Sequence, residues 1–322
     1  MRGAVLVSAL LPLHAQIHME KISYGGWPNC IRLANGQLEL VATTDVGPRI
    51  MRLARPGGPN LFKEWPDQLG KTGGEEWRIY GGHRLWHAPE VRPRTYAPDN
   101  DPVQVDWDGR RLRLTQRVEA STGLQKEIEV ALSTNRPVVT VTHRLYNRSV
   151  WDIEVAPWAL TVCQGPGRAV VPQEPPVSHS ERLLPVRTMA LWGYTDMQDP
   201  RYTWGARFVQ VRSDPERRTS QKVGFLNTQG WAAFARGEEV FLKRFAFDPR
   251  ATYADLGCNT EVYTNGDMLE LETLGPLTRV APGAAVEHVE RWYLFRAAPG
   301  QTDAELDAAL APLLQQTEPL TP

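Results

Sequence analysis

Apolar and polar residues alternate with a period of two along most of the chain, from about residue 22 to residue 296. In one such run, Ile128, Val130 and Leu132 are separated by polar or small neighbours, which is the pattern of a strand with one buried face. The same reasoning predicts strands at 37–42, 46–50, 112–118, 137–145, 207–211, 222–226, 231–234, 240–243, 269–273 and 286–295. Turn residues separate these runs, and no helical crossovers join them. The pattern therefore predicts an all-β chain that folds as a large antiparallel two-sheet sandwich.

A helix is predicted only near the C-terminus. Thr302 and Glu305 form a capping-box pattern, and Leu306 and Leu310 follow at helical spacing. Pro312 is expected to kink this helix or to end it early. With no internal repeat or linker, the chain divides into one β domain over 19–300 and a C-terminal helix and tail over 301–322.

Residues 1–18 have two interpretations. Met1-Arg2, an apolar run over 4–11 and a small residue at Ala15 fit a short secretory signal peptide, which would make the protein periplasmic or secreted. A mis-assigned start, with Met19 as the true first residue, would instead give a cytoplasmic protein. No other apolar run approaches the ~20 residues that a membrane span needs.

Composition limits the function classes. A formal net charge of −1 argues against electrostatic binding to nucleic acid or to a membrane surface. Eleven Trp and nine Tyr suit a core between sheets or a cleft in which sugars stack on aromatic rings. The three cysteines form no ligand pattern, and the chain has no phosphate loop, dinucleotide fingerprint or nucleophile elbow. We therefore predict no cofactor and no metal.

The segment from Tyr80 to Glu90 is dense in chemically useful residues behind a Gly-Gly pair. Gly81 and Gly82 permit a tight backbone path, and Pro89 disfavours a helix. The segment is therefore predicted to be a shaped loop or strand end that forms the wall of a pocket.

Within this segment, His83 and His87 are candidate acids, because imidazole titrates closest to neutral pH. A structural hydrogen bond is the alternative for either histidine, and a metal at this spacing is disfavoured because it would require a helix. Arg84 and Arg94 are candidates to bind sugar hydroxyls or an anion, with salt bridges as the alternative. Trp86 is a candidate to stack on a sugar ring, with packing between sheets as the alternative.

Further candidates lie later in the chain. Asp255, Asn259 and Glu261 fall within one turn-like stretch, and their oxygens suit sugar hydroxyls or, less readily, a calcium ion. His179 follows a proline-rich loop and is a candidate to project into a cleft.

Four other polar residues are predicted to be structural or solvated. His143 lies on an apolar strand face, which favours a hydrogen-bonded core position. His288 is predicted at a rim or surface, and Lys222 and Lys243 are predicted to be solvated at strand ends.

Several segments resemble the galactose mutarotase-like superfamily. The strand at 269–276, the Pro282-Gly283 turn and the closing strand at 292–295 resemble its C-terminal signature. The segments 145–147 and 156–161 resemble its central strand pair. The likeness covers roughly residues 20–296 and is greatest to a bacterial branch, through Trp158–Thr161 and Tyr253–Asn259.

The resemblance implies a β-supersandwich with a sugar-binding cleft on one concave sheet. In mutarotases a glutamate takes the proton of the anomeric hydroxyl while a histidine protonates the ring oxygen. Glu272 matches the glutamate, although Glu270 and Glu272 on one strand face would otherwise indicate a solvated surface. The family's histidine motif has no counterpart, because the corresponding place is Ala156–Thr161.

We therefore expect an aldose 1-epimerase-like enzyme with Glu272 as the base and His83 or His87 as the acid. Binding of a sugar or oligosaccharide without catalysis is one alternative. A supersandwich domain associated with a polysaccharide lyase or hydrolase is another.

Overall fold

The structure is a computed structural model that describes residues 17–322. Residues 1–16, on which the signal-peptide prediction depends, lie outside the described residues. The described chain is almost entirely β. Its strands are β1 (His18–Tyr24), β2 (Trp27–Ala34), β3 (Glu39–Thr43), β4 (Arg49–Ala54), β5 (His83–Ala88), β6 (Gln104–Trp107), β7 (Arg111–Thr115), β8 (Leu124–Leu132), β9 (Val138–Asn147), β10 (Ile153–Cys163), β11 (Arg168–Pro172), β12 (Met189–Leu191), β13 (Tyr202–Trp204), β14 (Phe208–Arg212), β15 (Gln221–Phe225), β16 (Trp231–Arg236), β17 (Glu239–Phe245), β18 (Thr260–Thr264), β19 (Leu269–Leu274), β20 (Thr278–Val280) and β21 (Ala285–Arg296).

The helical elements are a 3-10 turn (Arg94–Tyr96), the single turn α1 (Ala254–Gly257) and the C-terminal helix α2 (Asp303–Leu314). In α1, Asp255 and Leu256 have left-handed backbone angles with φ of 50° and 63°. None of the helices in residues 17–322 is long and apolar enough to span a membrane.

The strands form two antiparallel sheets. The first has eleven strands in the order β1-β2-β3-β4-β5-β10-β19-β18-β15-β12, with β20 paired to β10. The second has ten strands in the order β13-β14-β11-β16-β17-β21-β9-β8-β7-β6. The predicted all-β two-sheet architecture is confirmed.

The main core lies between the two sheets. The period-two pattern directs one side of each strand into this layer, where Leu271 of the first sheet and Val130 of the second belong to one buried cluster. Phe62 packs edge-on against Trp292, with ring centroids 5.7 Å apart. Burial of such side chains is the main favourable term in folding.

Helix α2 covers part of the outer face of the ten-stranded sheet. Thr302 caps it through the predicted capping box with Glu305, and Leu306 and Leu310 pack in a second apolar cluster with Trp231. The helix passes through Pro312 to Leu314, so the expected early end at this proline is wrong.

The Gly-Gly pair at the start of β5 is required by close backbone packing. A Cβ on Gly81 would lie 2.1 Å from the carbonyl oxygen of Lys63, and one on Gly82 would lie 2.3 Å from that of Ile50. Both glycines also have positive φ, which side chains disfavour. The pair fixes how β5 enters the eleven-stranded sheet and therefore which way its side chains point.

Candidate functional site

Strand register aligns several candidate side chains across the middle of the eleven-stranded sheet. Arg84 on β5 lies opposite Leu160 on β10, which in turn lies opposite Glu272 on β19. Glu272 lies opposite Glu261 on β18. Directly opposite residues of antiparallel strands project from the same face. These residues therefore share the outer face, away from the ten-stranded sheet.

Glu272 is almost fully buried on this face, with 1% of its surface exposed. Its Oε2 accepts hydrogen bonds from Trp158 Nε1 at 2.8 Å and from Lys222 Nζ at 3.1 Å. Lys222 also forms an ion pair with Glu261 Oε2 at 2.7 Å. The prediction that Lys222 is solvated is wrong, because its two carboxylate partners come from neighbouring strands that the local pattern of β15 does not reveal.

A second ion pair completes a buried group of five charged side chains. Arg84 Nη1 lies 2.8 Å from Glu270 Oε1, and both residues are buried. We call Arg84, Lys222, Glu261, Glu270 and Glu272 the carboxylate cluster. It holds three acidic groups and two basic ones, so it carries one excess negative charge when all five are ionised.

Burial shifts the proton affinities in this cluster. Burial raises the pKa of Glu261 well above its ordinary value, opposed by Lys222 and reinforced by Glu272. Burial also raises the pKa of Glu270. Burial alone would lower the pKa of Lys222, but Glu261 and Glu272 outweigh it and hold that pKa well above its ordinary value. The cluster therefore tends to keep Lys222 charged and to retain a proton on a carboxyl group, with Glu261 the most buried candidate.

Indole rings surround the cluster. The Arg84 guanidinium lies 4.6 Å from the ring centroid of Trp86. Lys222 Nζ lies 4.5 Å from that of Trp158 and 4.7 Å from that of Trp192. These are cation–π distances. Charged groups and flat apolar rings thus share one site.

Several buried polar atoms of the cluster lack an aligned hydrogen bond. They are Nε and Nη1 of Arg84, both carboxyl oxygens of Glu261 and Oε1 of Glu270. The ion pairs bring opposite charges close without satisfying these atoms directionally. Buried polar groups are normally hydrogen-bonded. The site therefore has both donors and acceptors that can form hydrogen bonds with a ligand or with water.

The turn from Trp192 to Thr195 covers the cluster. The backbone N–H of Trp192 donates to Thr195 Oγ1 at 3.0 Å, and that hydroxyl donates to the backbone carbonyl of Lys222. Burial raises the pKa of the Tyr194 phenol, which also lies in the electrostatic field of Lys222 and Glu272.

The predicted residues Glu272, Glu261, Arg84 and Trp86 meet at this site. Asp255 lies at its edge in α1, close enough that its charge contributes to the raised pKa of Glu261.

Three other predicted ligand residues lie apart from the cluster. The side chain of Asn259 is used in hydrogen bonds to the protein backbone. Its Oδ1 accepts from the Asn227 N–H at 2.7 Å and its Nδ2 donates to the Asn227 carbonyl at 3.0 Å. Arg94 is exposed in its 3-10 turn, and His179 is exposed in the loop between β11 and β12. The structure thus offers no support for a ligand role of Asn259 and leaves Arg94 and His179 outside the buried site.

His83 and His87 lie on the opposite face of β5. His83 Nδ1 is 2.7 Å from Thr161 Oγ1, and His83 Nε2 is 2.7 Å from His143 Nε2 of the other sheet. His87 is fully buried. Because neighbours along a strand alternate in direction, the outward position of Arg84 and Trp86 forces both histidines inward. We correct the expectation that either histidine is the acid beside Glu272.

His83 belongs to an inter-sheet polar layer that also contains His143, His288, Lys243 and Glu290. Lys243 Nζ lies 2.8 Å from Glu290 Oε1, and His143 Nδ1 lies 3.0 Å from the His288 carbonyl. His143 is in the core as predicted, whereas the predicted exposure of His288 and Lys243 is wrong. Lys243 pairs with Glu290 of the neighbouring strand and donates to the Leu271 carbonyl across the sandwich, where His288 Nε2 also meets Thr273 Oγ1. Strand patterns do not show these contacts.

A metal is disfavoured in this layer. Ligand atoms of His83, His143 and Glu290 lie within 4.8 Å of one another. However, the Lys243 ammonium already neutralises Glu290, and both histidines already form hydrogen bonds. A cation there would face an ammonium group, so a hydrogen-bond network accounts better for the arrangement.

A cavity of about 460 Å³ lies elsewhere, lined among others by Asp99, Gln116 and Glu119. It contains none of the predicted site residues, and its Asp99 and Glu119 are each paired with a buried cation. The unsatisfied polar atoms and indole faces favour the carboxylate cluster as the candidate site.

Sequence reasoning missed Lys222, Glu270 and Trp158 as parts of the site. Trp158 lies in the segment 156–161, where the superfamily's histidine motif was sought. The absence of the family's histidine from this segment indicates that another residue contacts Glu272 there, and that residue is Trp158. Glu270 was signalled by its shared strand face with Glu272, whereas Lys222 had no local signal.

The chain folds as two large antiparallel sheets with the Glu272 strand near the middle of one of them, and solved structures described as aldose 1-epimerases or galactose mutarotase-like proteins share this fold. A putative aldose 1-epimerase from Klebsiella pneumoniae is similar with a TM-score of 0.56 at 11% identity, over 95% of this chain and 88% of that one. A galactose mutarotase-like protein from Lactobacillus casei gives 0.54 at 10% identity, over 83% of this chain and all of the other.

A TPR-domain-containing protein from Parabacteroides distasonis gives a TM-score of 0.56 at 13% identity, and the chain spans only 47% of its length. The sequence matches no family model and no curated protein significantly. At these identities the comparisons establish the fold.

Proposed function

We propose that the carboxylate cluster binds a carbohydrate. The observation that carries this proposal is the coincidence of unsatisfied buried donors and acceptors with indole faces at one place. Sugar hydroxyls both donate and accept hydrogen bonds, and the apolar face of a sugar ring suits an indole.

The reaction that fits this site best is aldose 1-epimerisation. Glu272 would take the proton of the anomeric hydroxyl, while Arg84 and Trp86 position the sugar. Anomers already interconvert in water, so the modest gain of ~10²–10⁴ from each acid–base group would suffice. The similar structures described as putative aldose 1-epimerases are consistent with this assignment, although they support it through the fold alone.

Sugar binding without catalysis is the second candidate. It is favoured by the placement of His83 and His87 on the inner face of β5, so that neither supplies the acid.

Anomer exchange measured by NMR on a panel of aldoses tests the proposal. Wild-type protein should accelerate exchange, and Glu272→Gln should lower the rate at least ~10²-fold while calorimetry still detects the sugar. Glu119→Gln is the matched control, because Glu119 is also buried and paired with a lysine but lies away from the cluster. Binding without acceleration would support the second candidate, and no binding of any sugar would contradict both.

A further inference from the structure

We propose that Glu261 is the proton donor that works opposite Glu272, with Lys222 bridging the two carboxyl groups. This inference rests on the proposed epimerase function and names the acid that the histidines do not supply.

The geometry begins with a direct cross-strand pair. Glu261 and Glu272 are register partners on β18 and β19, and side chains in such pairs start from Cβ atoms about 4.5–5.5 Å apart. Lys222 Nζ lies 2.7 Å from one carboxyl group and 3.1 Å from the other. One ammonium group therefore contacts both acids at once.

Only one of the two acids is well prepared to stay ionised. Glu272 accepts a hydrogen bond from Trp158 in addition to one from Lys222, whereas Glu261 has Lys222 beside it at 2.7 Å and no indole donor. Two ionised carboxylates facing each other in a buried site repel strongly. The negative charge therefore belongs on Glu272 and the proton on Glu261, in agreement with the raised pKa of Glu261.

The two carboxyl groups then perform ring opening with balanced protons. Glu272 takes the proton of the anomeric hydroxyl, the C1–O1 bond becomes a carbonyl, and the electrons of the C1–O5 bond pass to the ring oxygen. Glu261 gives its proton to that oxygen. The negative charge moves from Glu272 to Glu261, and ring closure on the other face of the aldehyde returns both protons.

Lys222 stabilises the charge before and after this transfer. Because Nζ contacts both carboxyl groups, the ammonium stays next to the negative charge wherever it resides, without rearrangement. Such preorganised charge is effective in a site from which water is excluded.

Other groups fit the acid role less well. Lys222 holds its proton tightly, because its pKa lies well above the ordinary value once the neighbouring carboxylates outweigh burial. Glu270 is engaged by Arg84 at 2.8 Å. His83 and His87 project from the other face of the sheet.

The test is the pH profile of anomer exchange for wild type, Glu261→Gln and Glu272→Gln. Glu261→Gln keeps the shape of the side chain but has no acidic proton, so we expect kcat to fall ~10²–10⁴-fold with KM changed little. An acid must be protonated to act, so the wild-type rate should decline at alkaline pH, and Glu261→Gln should lack that decline. Glu272→Gln should instead lack the decline at acidic pH, because a base must be ionised.

A second measurement, which does not depend on turnover, locates the proton on one carboxyl group. Infrared spectra at neutral pH should show a protonated carboxyl band in the wild type that Glu261→Gln removes and the control Glu119→Gln retains, and calorimetry should show that Glu261→Gln and Glu272→Gln still bind sugar. A kcat within a few-fold of wild type in Glu261→Gln, or loss of the acidic limb in that variant, would overturn the inference while leaving the epimerase proposal in place. A wild-type protein that accelerates no anomer exchange would overturn both.

Discussion

Lys222 is the residue on which the charge balance of the site depends. It is 4% exposed and lies between two buried carboxyl groups. Removing one partner of a buried ion pair leaves an uncompensated charge, which costs about 3–5 kcal/mol.

We therefore expect Lys222→Met to lower the free energy of unfolding by about this amount at pH 7, measured by urea denaturation. Lys21→Met, at an exposed position, is the control and should change stability by less than ~0.5 kcal/mol. A similarly small change for Lys222→Met would show that the cluster does not need its ammonium.

At the residue scale, sequence reasoning identified Glu272, Glu261, Arg84 and Trp86, which do meet. It could not decide which face of β5 points outward, because alternation assigns two faces without orienting them. His83 and Arg84 are neighbours on β5, so their side chains point to opposite faces. Which face points outward therefore decides whether the site contains a histidine or an arginine. Only the neighbouring strands, through Thr161 and Leu160 on β10, decide it.

At the element scale, we infer that the turn from Trp192 to Thr195 covers the carboxylate cluster. Trp192 covers Lys222, while Tyr194 is 47% exposed. The Thr195 hydroxyl attaches this turn to β15 through the Lys222 carbonyl.

We expect Trp192→Ala to speed sugar association severalfold, because the covering ring is removed, and to speed dissociation as well. Stopped-flow tryptophan fluorescence measures both rates. Trp151→Ala is the matched control, since Trp151 is a highly exposed tryptophan next to β10 and should leave both rates unchanged. Equal association rates in all three proteins would contradict a covering role for the turn.

The elements themselves were largely predictable. The predicted strands at 137–145 and 286–295 correspond to β9 (Val138–Asn147) and β21 (Ala285–Arg296), because long alternating runs carry a strong signal. The three-residue edge strands β12 and β13 are too short to show a period. Which strands pair, and hence which carboxylates become neighbours, depends on contacts far apart in the chain.

At the scale of the whole molecule, four buried histidines make stability depend on pH. Burial lowers the pKa of His87 to about 4, of His143 to about 4 and of His288 to about 3, and lowers that of His83 well below its ordinary value. These bases are neutral when folded but bind protons below about pH 6.5 when unfolded. Stability is therefore complete above that pH and falls as pH decreases towards the folded pKa values.

The raised pKa values of Glu261 and Glu270 act in the opposite direction, because the folded state then holds the extra protons. The four histidines outnumber the two glutamates, so the unfolded chain binds more protons than the folded one. We expect the free energy of unfolding to fall as the pH decreases from 6 to 5, by about 1.4 kcal/mol per pH unit for each excess proton, measured by urea titrations. His179→Gln, at an exposed site, should follow the same curve, and a flat profile over this range would contradict neutral buried histidines.

The central claim is that the carboxylate cluster is a sugar site, and a crystal structure of Glu272→Gln with a bound aldose tests it most directly. We expect the sugar to lie under a displaced Trp192, with its anomeric oxygen beside residue 272, its ring oxygen towards Glu261 and its apolar face on an indole. A sugar bound in the cavity beside Asp99 and Glu119, with the cluster still closed, would contradict it.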